Sequence, residues 1–162
     1  MELSDWIKIV AVLLAAIGLI MNAIQLGRAT RQRRIEQVTE ILWKLYDDED
    51  LREIYYKIEY NEFEYEQSNF HGSDIERKLD KLLALMDSIA KLTAMGLIKK
   101  NDLELISYEY LAIYQNRSIN QYFNFLDNWA KNGRGLKRTP FDDFRRIGKI
   151  LEKQSKRRRY YF

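Results

Sequence analysis

A single histidine, His71, and no cysteine limit the side-chain chemistry open to this chain of 162 residues. Without thiols there are no disulfides, thiolate metal sites or cysteine nucleophiles, which fits a reducing compartment. One imidazole lacks the partners that zinc binding or general-base catalysis needs. His71 stands just ahead of a helix-start signal at Ser73 and is expected to be a turn residue packed on its neighbours. Asp80 and Asp87, seven apart, can share a helix face, for which a solvated position is expected. No glycine-rich phosphate loop and no metal-binding run of carboxylates occurs. The acidic run Asp47–Asp50 suits a helix N-terminus, where negative charge is favoured. The expectation is a non-enzymatic protein with no cofactor and no metal.

Basic residues carry the remaining binding chemistry. The net charge of +3 hides an asymmetry: residues 1–34 sum to +3, residues 35–133 to −8 and residues 134–162 to +8. Lys153 to Phe162 reads KQSKRRRYYF. Its Lys156, Arg157, Arg158 and Arg159 could meet an anionic membrane surface, at roughly 1 kcal/mol per cation. That reading is favoured over the phosphates of RNA, DNA or a cyclic nucleotide, and over contact with the chain's own acidic body. Lys99, Lys100 and Arg117, near helix ends, are the other candidates for an anionic ligand. The tract Tyr55–Tyr65 interleaves aromatics with glutamates rather than with basic residues. Base stacking is therefore a poor fit there, and core packing plus a protein-contact surface a better one.

The elements that must hold these residues begin with an apolar run. Ile9 to Leu26 reads IVAVLLAAIGLIMNAIQL, eighteen positions without a charge. Trp6 and Ile7 extend it, and a bilayer core needs about 20 such residues. Trp6 suits the interfacial level, and Lys8 is near enough to the end to snorkel. Met1–Lys8 carries Glu2 and Asp5 and so lacks the basic leader of a cleavable signal. Arg28, Arg31, Arg33 and Arg34 follow the run and mark a cytoplasmic flank where anionic lipid is close. The expectation is a single-pass protein of the bacterial inner membrane, N-terminus out and C-terminus cytoplasmic. Ala11, Ala15, Gly18, Asn22, Gln25 and Ala29 form one stripe at spacings of 4, 3, 4, 3 and 4, the repeat of a left-handed helix seam. Small residues and amides on that stripe predict a homo-oligomer.

Beyond the anchor, 1–34, the pattern predicts a helical domain over 35–152 and a basic-aromatic tail over 153–162. Ile35, Val38, Leu42 and Leu45 repeat at 3, 4 and 3, so the membrane helix is expected to continue into the domain. Asp48 can cap a helix with Leu51, Ile54, Tyr55 and Ile58. Ser73 with Glu76 is a capping box ahead of an apolar stripe, Ile75, Leu79, Leu82, Leu83, Met86, Ile89 and Ala90. Gly96 reads as a left-handed C-cap with Leu97 as its apolar contact. Asn101 starts a helix with Leu103, Ile106, Tyr110, Ile113 and Tyr114. Ser118 caps one with Ile119, Tyr122, Phe123, Leu126 and Trp129, ending near Gly133. Thr139-Pro140 opens a last helix with Phe141, Phe144, Ile147 and Leu151. The fold predicted is all-α, a transmembrane helix continuing into a compact cytoplasmic bundle of about five helices.

The order Tyr60-Asn61-Glu62-Phe63, Phe70-His71-Gly72-Ser73 with Glu76, Asp80, Leu82 and Leu83, Gly96-Leu97-Ile98, Tyr108-Glu109, Gln121–Leu126 and Pro140-Phe141 resembles an uncharacterised bacterial family. Its members are small helical proteins, often with one N-terminal transmembrane helix. The similarity covers about residues 35–145 and includes no known catalytic motif. It implies fold and membrane placement only, and the arginine-rich tail departs from it. Two functions are compatible with this pattern. One is a membrane-anchored sensor or interaction module that acts as an oligomer with a protein partner, a packing change passing through Arg28–Leu45. The other shares only its plan with membrane effectors of bacterial antiviral defence, in which a cyclic oligonucleotide or similar anion gates the assembly.

Overall fold

The computed structural model describes the backbone of residues 3–159, and their side chains except those at 3–5, 7, 9 and 157–159. Every regular element among them is helical and none is a strand, as apolar spacings of three and four predict. The α-helices are α1 (Leu3–Asp47), α2 (Glu49–Glu59), α3 (Gln67–Phe70), α4 (Asp74–Ala94), α5 (Ser107–Gln115), α6 (Arg117–Asn128) and α7 (Asp142–Arg159). A 3₁₀ turn, Asp102–Ile106, precedes α5, and a π turn, Trp129–Gly133, follows α6. The chain divides into two units, Met1–Glu36 and Gln37–Phe162.

In the first unit the apolar run is helical and its described side chains are exposed: Val12 by 68%, Leu14 by 64% and Leu19 by 71%. This helix is long and apolar enough to cross a membrane, and none of its most apolar eighteen-residue window is buried. Trp6 and Lys8 are exposed and helical. The readings that used Met1, Glu2 and the side chains of Asp5 and Ile7 lie outside the described residues.

The second unit closes around a core that every α-helix from α2 to α7 enters. Val38 and Leu45 of α1 are fully buried in it and Leu42 is half-buried. On α4, Leu79, Leu82, Leu83, Met86, Ile89 and Ala90 are all buried. Each large side chain among them contributes roughly 1.5–3 kcal/mol relative to exposure. Ile75 departs from the expected stripe: in the first turn of α4 it is exposed. Aromatics fill the space between helices, with Tyr110 stacked on Phe144 at 4.6 Å between ring centroids.

Helix ends follow local chemistry with some corrections. Asp48 caps α2 by accepting the Leu51 N–H at 3.2 Å. Ser73 Oγ accepts the Glu76 N–H at 3.1 Å, but the Glu76 carboxylate returns to the Gly72 N–H, because the Ser73 N–H is held by the Phe70 carbonyl. Gly96, at φ +77°, ends α4 in a Schellman motif, the Leu97 and Gly96 N–H groups donating to the Leu92 and Thr93 carbonyls. The buried apolar contact after it is Ile98; Leu97 is exposed. Asn101 makes no capping bond; Asp102 accepts the Lys99 N–H instead, and the chain enters a 3₁₀ turn before α5. Asn116, not Ser118, caps α6, because α5 stops one residue before it and its side chain accepts from Ser118 and Ile119 N–H. Trp129 is 38% exposed and Ala130 is buried in its place, since the wider π turn shifts the inward position by one. The last helix begins at Asp142, two residues past Pro140, because Phe141 sits at φ +61°. Thr139 donates its N–H and hydroxyl to Asp142 rather than capping a helix itself.

Candidate functional site

The loop that leads into α4 brings most of the bundle's unusual side chains together. The Ser73 cap fixes the start of α4 and turns Glu76 back over Gly72. Glu76 Oε1 then lies 2.8 Å from His71 Nδ1, and His71 Nε2 lies 3.2 Å from the Tyr65 hydroxyl. One turn further along α4, Asp80 accepts the Tyr122 hydroxyl of α6 at 2.9 Å, and that hydroxyl also approaches Glu76 at 3.4 Å. Tyr65, His71, Glu76, Tyr122 and Asp80 thus form one chain of polar groups, packed on Phe70 and Phe125. The His71 ring is 4.1 Å from Phe125 between centroids. His71 is therefore a turn residue packed on neighbours, as its position predicts. Asp80 departs from expectation: it is partly buried and bonded, because Tyr122 reaches across from α6.

The electrostatics of this chain are uneven. Burial pushes the Asp80 carboxyl above its ordinary range; the Tyr122 bond pulls it back and the Glu76 charge adds to the rise. Burial also pushes Glu76 up, but the Gly72 N–H and His71 outweigh it and hold that carboxyl low. The Tyr65 and Tyr122 phenols are both raised, chiefly by burial. The pairing of His71 with Glu76 orients an imidazole as a catalytic carboxylate would. What Nε2 meets, however, is a phenol that stays protonated at neutral pH and is a poor nucleophile. The arrangement fixes the loop over Tyr65–Gly72. Among the described residues no three His, Asp or Glu side chains converge as metal ligands.

A second polar node pins α7. Asp87 is buried, contrary to the solvated position its spacing suggested. Its carboxylate accepts the Phe144 N–H at 2.9 Å, one of the amides left open at the start of α7, and pairs with Lys91 at 2.8 Å. Tyr110 donates to the Phe144 carbonyl at 3.1 Å. Arg145 binds Asp127 of α6 through two bonds, at 2.9 and 3.0 Å.

Tyr65 and Phe125 also line a groove of 680 Å³ with Gln121, Asn124, Asn128 and Trp129 among its other walls. The carboxamides here escaped the sequence reading, although their spacing along α6 was available as a signal. A smaller cavity of 300 Å³ holds Lys100 beside Glu104, Gln154 and Leu151.

The anion candidates are dispersed. Lys99 and Arg117 are exposed and do not share the Lys100 cavity. Lys156 pairs with Glu152 at 2.9 Å. Arg157, Arg158 and Arg159 fall in α7, but their side chains, like Tyr160–Phe162, lie outside the described residues. In the first unit Arg28, Arg31 and Arg33 are exposed and Arg34 is half-exposed. Ala11, Ala15, Gly18, Asn22 and Gln25 are exposed on α1, and a Cβ at Gly18 would meet open space. No family model, curated protein or solved structure matches the chain.

Proposed function

We propose that this protein is a non-enzymatic, single-pass interaction module of the bacterial inner membrane, working as a homo-oligomer with its bundle in the cytoplasm. The observation that carries this reading is the exposed apolar helix of the first unit, followed by Arg28, Arg31, Arg33 and Arg34. In water such a surface is a liability; in lipid it is satisfied, and the arginines set the orientation. Association runs along Ala11, Ala15, Gly18, Asn22 and Gln25, where backbones can approach and amides can bond. The bundle supplies the partner-binding surface. Gating by an anion at Lys99, Lys100 and Arg117 has less support. These cations are not gathered, and Glu104 offsets Lys100 in its cavity.

The absence of native cysteine makes the orientation directly testable. Single variants Ser4→Cys and Gln154→Cys are treated with an impermeant maleimide in intact spheroplasts. Ser4→Cys should label at once, and Gln154→Cys only after the membrane is opened. The reverse pattern, or labelling of both in intact cells, would overturn the orientation.

A further inference from the structure

α6 and the π turn after it carry Gln121, Asn124, Asn128 and Asn132 at spacings of three, four and four. Asparagine is among the weaker helix formers, so its repeated use on an exposed helix face calls for a reason. The fold supplies one for two neighbours: Asn116 caps α6, and Asn120 donates to the Tyr114 and Asn116 carbonyls. The four carboxamides of the groove and Gln67, which also lines it, make no side-chain hydrogen bond to any described residue. They face a space of 680 Å³ with the rings of Phe125 and Trp129 and no lysine, arginine or carboxylate in its wall. At the rim the Arg134 guanidinium lies over the Trp129 ring, 5.1 Å from its centroid. Arg134 belongs to the segment 131–138, in which Lys131, Lys137 and Arg138 are also exposed and Arg138 pairs with Asp143 at 3.2 Å.

Amides that donate and accept, flat rings and a cationic rim match the three parts of a nucleotide. Carboxamides pair with the donor–acceptor edge of a base, aromatic rings stack on its face, and lysine or arginine meets its phosphate. A neutral sugar would leave the basic rim unused, and an anionic lipid headgroup would leave the amides and rings unused. The groove is open to solvent, so a ligand would lie along it rather than be enclosed. We infer that this groove binds a nucleobase with its phosphate, presented either as a free nucleotide or as a unit of single-stranded RNA. Such binding would hold whether or not the N-terminal helix lies in a bilayer.

The full-length protein in neutral detergent is titrated calorimetrically with the four ribonucleoside monophosphates and with a mixed-sequence single-stranded RNA. Adenosine and inorganic phosphate alone serve as controls. Saturable binding of a nucleotide or of the RNA is expected. Asn128→Asp, which places a carboxylate in a neutral wall, and Trp129→Ala, which removes a stacking face, should each weaken it by roughly tenfold or more. Arg134→Ala should weaken nucleotide binding more than it weakens nucleoside binding. All three positions are exposed, and an unchanged unfolding midpoint shows that the variants are folded. Tighter binding of RNA than of any mononucleotide identifies the polymer as the source, and comparable binding identifies the free nucleotide. The inference is overturned if none of these ligands binds saturably, or if Asn128→Asp and Trp129→Ala bind as the wild type does.

Discussion

Leu19 in the N-terminal unit is 71% exposed, whereas Leu82 on α4 is fully buried, though both lie in regular α-helix. The difference lies in what surrounds each leucine in sequence. On α4 the apolar residues keep to one stripe, and Arg77, Lys78 and Lys81 occupy the rest and pair with Asp48, Asp50 and Glu53 of the α2 region. Such a helix has one face to bury and another to leave in water. Between Ile9 and Leu26 there is no polar face to leave, only the amides Asn22 and Gln25 near one end. A helix apolar all round needs apolar surroundings on every side, which a bilayer provides without further protein. Composition around the circumference, rather than hydrophobicity alone, separates the two regions.

Changes in the bundle should affect unfolding and leave membrane attachment alone. The largest expected effect is at Phe144, fully buried against Tyr110, Tyr114 and Phe123. Phe144→Ala should cost about 3–5 kcal/mol of stability, read by urea denaturation in detergent, with membrane extraction unchanged. Asp87→Ala leaves the Phe144 N–H buried without its acceptor, at about 1–3 kcal/mol. Loss of less than a few tenths of a kcal/mol would show that this node does not pin α7.

Changes in the N-terminal unit should do the opposite. Asn22→Leu should weaken self-association by about 0.6–2 kcal/mol without moving the unfolding midpoint of the bundle. Gly18→Leu should reduce cross-linking in native membranes, while Ile17→Leu, off the stripe, should not. Equal cross-linking in wild type and both variants would make the stripe incidental.

The smallest effect is the pH dependence of the bundle surface. Arg77, then Lys81, hold the Asp50 carboxyl down at about 2. Asp48, Glu53 and Asp74 are lowered too, chiefly by hydrogen bonds from Lys81, Lys57 and Arg77 respectively. Carboxyls depressed in the folded state stabilise it above their ordinary range, and that contribution is lost as pH falls through the folded values. The unfolding midpoint should therefore fall as pH drops from the ordinary carboxylate range toward about 2. The groups are exposed, so high salt should flatten the profile. Asp80 runs the other way. Its raised carboxyl is better tolerated protonated, so any contribution it makes is present at low pH and lost as pH rises. Asp80→Asn should accordingly raise the midpoint at neutral pH more than in acid.

What the sequence disclosed follows the same division. The Asp48 cap, the serine half of the Ser73–Glu76 box and the Gly96 stop are local signals involving residues within a few positions of one another, and each forms as the chain predicts. The long apolar helix was equally plain, because eighteen uncharged positions need no partner to be recognised. Asp87 and Asp80 were misplaced because their acceptor roles depend on Phe144 and Tyr122, 57 and 42 residues away. The α6 cap moved to Asn116 because α5 ends just before it, a matter of packing rather than of local preference. The carboxamide row on α6 was present in the spacing but has no periodic apolar signature to draw attention to it.

The central claim is that the apolar helix of the first unit lies in lipid. It is tested most directly by washing isolated membranes from cells expressing the full chain with alkaline carbonate. The protein should stay with the lipid pellet and be released only by detergent. Recovery of folded protein in the carbonate supernatant would contradict the claim.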